Sequence, residues 1–314
     1  METKEGDKMQ PNYIVDCAII GGGPAGLSSA LVLGRSRRDV LLFDDATNRN
    51  QVTHESHGFL TRDGTTPSEL RRLGREDVTA YSSVNIIEQT VSSIAPANDD
   101  SFFTITTSDA KRYYAKKLIL AVGFKESLPS IEGIHHFYGK SVFNCPYCDG
   151  WELRDQPLII INDTEHASHM AKVLYNWSKD LVLATNGSDF DIEPEVIQKL
   201  KEKGITIQTQ KIVQLSGENG QLSSVTFEDG TKLDRSGGFV APTFIFNPLR
   251  EKMNFELTEH GALVIDDFGR TSIKNIYAAG DAISPAYSQL IVSAASGHKA
   301  GIGVNADLTE ELFA

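Results

Sequence analysis

Cysteine is scarce in this chain of 314 residues: only Cys17, Cys145 and Cys148 are present. An odd total with one close pair cannot build the disulfide framework of a secreted domain, so the pair calls for redox or metal chemistry. No apolar run approaches 18 residues, which excludes a membrane-spanning helix. Basic residues are in deficit, 30 Lys+Arg against 42 Asp+Glu for a net charge of -12, and such a field repels polyanions. Nucleic acid is therefore not an expected partner. The clusters Arg35, Arg37, Arg38 and Arg71, Arg72, Arg75 have helical spacing and read as solvated faces before phosphate sites. Residues 1–10 are polar, lack an apolar segment, and read as frayed chain without a signal peptide or membrane anchor; the expected location is cytoplasmic.

What is present is enough for about two domains. The β-branched run from Tyr13 to Ile20 meets Gly21-Gly22-Gly23-Pro24-Ala25-Gly26, a helical pattern through Leu27, Ala30, Leu31 and Gly34 follows, and Val40 to Phe43 reads as the next strand. Strand, glycine turn, helix and strand make half of a doubly wound sheet. Cys17, in mid-strand, reads as an inert core thiol. Residues 47–66 form a long polar loop bearing His54 and His57, followed by a helix over about 67–81. The runs 84–91, 102–107 and 117–122 suggest a β-meander returning to the sheet. The pattern then restarts, with a strand at 158–161, a helix over about 166–178 and a strand at 181–183. After Ser236-Gly237-Gly238 come two strand-like runs and a C-terminal helix over about 289–304. The expected fold is α/β with two Rossmann-like domains of three layers, the second inserted into the first. One domain comprises residues 11–123 and 238–314, and the insert residues 124–237.

Gly21-x-Gly23-x-x-Gly26 sits between a strand and a helix. The first glycine makes the tight turn, the second admits a pyrophosphate, and the third lets helix pack on strand. Asp44, where the second strand ends, is placed to take ribose hydroxyls. NAD and FAD share this fingerprint. Leu118 to Gly123 and Ile276-Tyr-Ala-Ala-Gly280-Asp281 resemble the further flavin motifs of flavoproteins with two dinucleotide-binding domains, which implies FAD, with Asp281 on its ribityl chain.

Cys145-Pro146-Tyr147-Cys148-Asp149-Gly150 carries the chemistry. A C-x-x-C at a helix N-terminus makes one sulfur an attacking thiolate while the other resolves the mixed disulfide. A zinc site using His166 and His169 has the wrong spacing, so no metal is expected, and a purely structural disulfide is the other rival.

The order of FAD fingerprint, Cys-x-x-Cys-Asp-Gly and C-terminal Gly-Asp resembles low-molecular-weight thioredoxin reductases, within the class II pyridine nucleotide-disulfide oxidoreductases, over roughly residues 13–306. The resemblance implies that Cys148 faces the flavin, Cys145 exchanges with the substrate disulfide, and Asp149 handles the proton. It places Gly21, Gly23, Pro24, Ala25, Gly26, Asp44, Asn50, Val91, Ala121, Gly123, Gly280, Asp281, Gln289 and Leu290 around FAD. It also implies a homodimer acting on a thioredoxin-like protein or a small dithiol or disulfide.

One expected motif is missing. Where such a reductase has Gly-x-Gly-x-x-Ala for NADPH, this chain has Asn162-Asp163-Thr164-Glu165-His166-Ala167, which puts side chains and negative charge at the pyrophosphate position. After the strand at 181–183, Ala184-Thr185-Asn186-Gly187 stands where arginines grip a 2′-phosphate. NADPH is thus an expected poor donor, and a ferredoxin or flavodoxin the suspected one. The loop 53–64 resembles atypical members of the group, among them dithiol oxidases that pass electrons to oxygen, where His54 and His57 would carry protons; more simply, they cover the flavin and fix the loop. A non-enzymatic FAD-binding redox sensor is the remaining alternative.

Overall fold

The β-branched run that opens the described chain has two apolar faces, and a strand with two apolar faces must be covered on both sides. In the computed structural model, which describes residues 13–98, 101–188, 191–285 and 288–314, β1 (Val15–Ile20) meets that demand. Cys17 and Ile19 point to one core with Leu27, Ala30 and Leu33, while Ala18 and Ile20 point to another with Phe43, Phe103 and Leu118. Burial pushes the Cys17 thiol far above its ordinary range. The expectation for residues 1–10 lies outside the described residues.

From β1 the chain runs through α1 (Pro24–Arg35), β2 (Val40–Phe43), α2 (Pro67–Thr79), β3 (Val84–Ile87), β4 (Val91–Pro96), β5 (Phe103–Thr107) and β6 (Arg112–Leu120). These strands join in the order β3-β2-β1-β6-β5-β4. The first four are parallel, β4 and β5 antiparallel. The run expected as one strand over 84–91 is two: β3 ends at Ile87, and β4 begins at Val91 in pairing with β5.

The inserted sequence holds β7 (Phe124–Ser127), α3 (Ile134–Phe137), β8 (Val142–Phe143), α4 (Pro146–Asp149), β9 (Leu158–Ile161), α5 (Ala167–Leu174), β10 (Leu181–Ala184), α6 (Pro194–Glu202) and β11 (Thr206–Gln208). It continues through β12 (Ile212–Glu218), β13 (Gln221–Phe227), β14 (Lys232–Asp234), β15 (Gly237–Val240) and β16 (Thr243–Phe246). Its parallel sheet has the order β11-β10-β9-β15-β8, and β12, β13 and β14 form an antiparallel sheet that the sequence reading did not anticipate. After α7 (Pro248–Glu251), β17 (Ile276–Ala278) returns to pair with β6, and α8 (Leu290–Phe313) ends the chain.

Two compact units result. One groups the described residues up to Asn48 with Ser68–Phe124 and Phe246–Ala314, and the other groups Arg49–Pro67 with Lys125–Ile245. This differs from the expected division in two places. The second junction moves from 237 to 245, because β15 is an inner strand of the inserted sheet, hydrogen-bonded to both β9 and β8. The polar loop 49–67, expected in the first domain, groups with the insert. Gly139 shows why: a Cβ there would lie 2.4 Å from the Val52 carbonyl oxygen, so loop and insert are in backbone contact.

The C-terminal helix runs nine residues beyond its expected end. In its last turns, Arg38 donates to Asn305 Oδ1 (2.8 Å) and Thr309 Oγ1 (2.8 Å), and Arg270 forks onto Asp307. Lys117, almost wholly buried, donates its ammonium protons to Asn275 and Glu311. No helix among the described residues is long and apolar enough to cross a membrane.

Candidate functional site

A short glycine turn can leave amide groups for a ligand only if nothing of the protein fills the space above it. Gly21 has φ +112°, and a Cβ on it would lie 2.2 Å from the Ala121 carbonyl oxygen; its N–H donates to Phe43 O at 2.8 Å. At Gly26 an added Cβ would lie 1.8 Å from Gly21 O, closer than any contact tolerates. Gly23 is the reverse: no heavy atom comes within 4 Å of its Cβ position. It precedes α1 in extended backbone, the helix has Pro24 at its start, no side chain caps it, and its first turn holds no acid. Uncapped amides at the end of a 12-residue helix, beside an open glycine, fit the pyrophosphate of a dinucleotide.

The same ends of the parallel strands carry most of the other expected cofactor residues. Gly123 follows β6 with φ +55° and open space at its Cβ position. Gly280 follows β17 with φ +73°, 2.9 Å from Ala25 Cβ by the same measure, and its N–H donates to Ser296 Oγ. Asp281 accepts from Ser293 Oγ at 2.9 Å, and Gln289 and Leu290 begin α8. Val91 is buried in the core at the start of β4. Asn50 lies in the 3-10 turn Arg49–Val52, part of the other unit, where its carbonyl accepts from Thr53 Oγ1.

Asp44 directly follows β2, almost fully buried, and two arginines of α2 hold it: Arg71 Nε donates at 3.1 Å and Arg75 Nη1 at 3.2 Å. Arg72, on the outer face, pairs with Glu69 and Glu76. The basic cluster is thus divided, with Arg71 and Arg75 turned to the expected ribose acid beside a cavity of about 380 Å³ that Ser68 and Glu88 also line. The arginines' spacing carried the signal for a helix face but nothing that paired it with Asp44.

In the second unit Cys145 and Cys148 form a disulfide across the single turn of α4. Cys145 is the N-cap, and its Sγ accepts from the Cys148 N–H at 3.1 Å. Asp149 is 8% exposed, and its carboxyl is pushed up to about 7, first by burial and then by the charge of Glu152; His57 opposes the rise. His57 comes from the 49–67 loop. Its Nε2 lies 3.6 Å from both Glu152 Oε1 and Glu55 Oε2, and its Nδ1 3.6 Å from Asp63 Oδ1. His54 is exposed. Glu126 accepts from Arg49 (2.7 Å), from Asn144 Nδ2 (2.6 Å) and from the Tyr138 hydroxyl, tying the loop to the residue preceding Cys145. Tyr147 and Trp151 stand exposed on either side of Cys148.

The turn after β9 is closed on itself. Asn162, buried, accepts from Thr164 N (3.0 Å) and Thr164 Oγ1 (2.8 Å) through its own side-chain oxygen. Asp163 and Glu165 are exposed, and α5 does not begin until Ala167. After β10, Thr185 is buried with no partner for its hydroxyl. His166 and His169 are exposed, and among the described residues no group of three His, Cys, Asp or Glu could hold a metal ion.

Residues 15–298 match the family model for pyridine nucleotide-disulphide oxidoreductases. A Bacillus anthracis structure described as a candidate thioredoxin reductase, TrxB, is 49% identical, with 95% of this chain and 99% of that one covered at a TM-score of 0.90. An oxidoreductase from Agrobacterium tumefaciens is 30% identical, with 95% and 99% covered at a TM-score of 0.87. Thioredoxin reductase sirT of Leptosphaeria maculans is 29% identical over 307 residues, 93% of this chain and 94% of that protein. The chain belongs to the pyridine nucleotide-disulphide oxidoreductase family, as a thioredoxin reductase-like, FAD-dependent oxidoreductase.

Proposed function

We propose that this enzyme exchanges electron pairs between FAD and a protein or small-molecule disulfide through Cys145 and Cys148. The observation that carries the reading is the buried carboxyl of Asp149, poised near 7 directly after a disulfide. FAD, when bound, supplies a two-electron store. The chain's residues do the rest. Gly21, Gly23 and Gly26 with the N-terminus of α1 hold the pyrophosphate, and Asp44, released in part from Arg71, takes ribose hydroxyls. Opening the Cys145–Cys148 bond takes two electrons and, with Cys145 left as the thiolate that attacks the substrate, one proton. Asp149 gives a proton to the Cys148 sulfur and recovers it when the bond closes again, a task suited to an acid whose pKa matches neutral pH. Cys145 exchanges with the substrate, a thioredoxin-like protein or a small disulfide.

The electron donor in this reading is a ferredoxin or flavodoxin in place of NADPH. The self-closed turn at Asn162 and the carboxylates of Asp163 and Glu165 support it, because a pyrophosphate needs free amides and no negative charge there. The enzyme works in the cytoplasm as a homodimer. An anaerobic titration of flavin absorbance tests the proposal: a reduced dithiol bleaches the flavin, whereas NADPH and NADH do not at equal concentration. Rapid bleaching by NADPH would restore an ordinary pyridine-nucleotide reductase. In Cys148→Ser the dithiol should no longer bleach the flavin, while FAD stays bound.

A further inference from the structure

A carboxylate drawn out of water has to be met by donors, and where its donors come from shows what it holds together. Glu126 lies on β7 with its side chain only 7% exposed, and its three donors come from three separate stretches of the same unit. Oε1 accepts from Arg49 Nη1 at 2.7 Å and from Asn144 Nδ2 at 2.6 Å, while Oε2 accepts from the Tyr138 hydroxyl. Arg49 opens the loop 49–67, whose backbone meets the insert again at Gly139, the residue after Tyr138. Asn144 is the residue before Cys145.

The helix α4 does little to place Cys145. It is a single turn, and Cys145 stands outside it as the N-cap, in extended backbone with φ -119° and ψ 104°. The Cys145 carbonyl accepts from the N–H groups of Cys148 and Asp149, and its Sγ from that of Cys148. Those bonds fix the turn to Cys145 and leave open what fixes Cys145 to the unit. Upstream, β8 delivers the buried Val142 and Phe143, and the Asn144 amide on Glu126 is the side-chain anchor immediately before the sulfur.

We propose that Glu126 is a positioning residue for Cys145: through Asn144 it holds the substrate-facing sulfur in place when the disulfide is open, with the loop 49–67 braced on the same carboxylate through Arg49. The inference rests on the reading above in which Cys145 exchanges with the substrate. A closed disulfide restrains Cys145 by itself, and opening it removes that restraint. The anchor at Asn144 then keeps the thiolate presented for attack. In the exchange, the Cys145 thiolate attacks a substrate disulfide and releases one substrate thiolate. Cys148 gives its proton to Asp149 and attacks the Cys145 sulfur, which closes the protein disulfide and releases the second thiolate. Two electrons pass to the substrate.

The test uses the FAD-loaded full chain in the Cys148→Ser background, where the remaining Cys17 is buried. Attack of Cys145 on the small disulfide dithiobisnitrobenzoate is read as release of one coloured thiolate per chain. Asn144→Leu and Glu126→Leu should each slow that attack at least about tenfold. The double variant should be no slower than the slower single one, because both changes break one chain of contacts. Glu126→Gln keeps an acceptor for Asn144 and should recover most of the rate. A carboxylate that merely ties the unit together would lower the thermal midpoint in Glu126→Leu and leave the attack rate of the folded protein unchanged; that result, or additive losses in the double variant, overturns the proposal. If Glu126→Leu does not fold, Asn144→Leu decides alone, since a rate equal to its parent refutes the anchor. Should Cys145→Ser react with the probe while Cys148→Ser does not, the assignment of the exchanging sulfur fails and takes the proposal with it. A reactive Cys145 indifferent to Asn144 removes the proposal and leaves the relay standing.

Discussion

A carboxyl that binds its proton more tightly when folded than when unfolded makes the folded state less stable as pH rises. For Asp149 the folded value lies near 7 against an ordinary 3.8, so its favourable contribution is complete below pH 3.8 and is lost as pH rises through 7. Asp149→Asn is neutral throughout. Denaturant unfolding from pH 4 to 8 should show the wild type losing on the order of 3 kcal/mol relative to Asp149→Asn; parallel curves would show that the carboxyl is not held neutral. At this scale the sequence was legible where chemistry is local. Cys145, Cys148 and Asp149 are adjacent in the chain, and the glycines of the fingerprint have a fixed spacing. Arg71 and Arg75 on Asp44, or His57 against Glu152, depend on pairings across 27 to 95 positions. No spacing rule encodes those.

Helices α1 and α8 illustrate how close packing makes an element intolerant of one methyl group. A Cβ on Gly26 would meet Gly21 O at 1.8 Å, and one on Gly297 would meet Ala25 O at 2.0 Å, both of them backbone atoms that cannot turn aside. Gly26→Ala should therefore displace the start of α1 from the turn and weaken FAD retention at least tenfold, read as flavin content after gel filtration. The far end of α8 is held by charge. Glu311→Ala leaves the Lys117 ammonium buried with Asn275 as its remaining partner, and a loss of about 1–2 kcal/mol is expected, moderated because Glu311 is half-exposed. Thermal unfolding at neutral pH checks this. The helix was expected to stop near 304. What continues it is a set of partners from β6, the turn between α1 and β2, and the segment before β17, which a window of local sequence does not contain.

At the scale of the molecule, strand–helix alternation and a restarting glycine-to-strand pattern were sufficient to read an α/β fold with one parallel sheet for each of two units. The antiparallel sheet β12–β14 escaped notice: β12 and β13 have seven residues each, but serine and glycine interrupt their apolar alternation. The loop 49–67 was assigned by position along the chain, whereas its contacts put it with residues 125–245. That assignment has a practical meaning for anyone recombining this enzyme with a relative. Exchanging 125–245 alone, the obvious two-crossover chimera, would seat a foreign Glu152 and Asp149 beside the recipient's own His57, Glu55 and Asp63. The heritable block is discontinuous: a faithful exchange takes four crossovers, and recombination at only the two junctions around 125–245 parts the loop 49–67 from the unit it groups with.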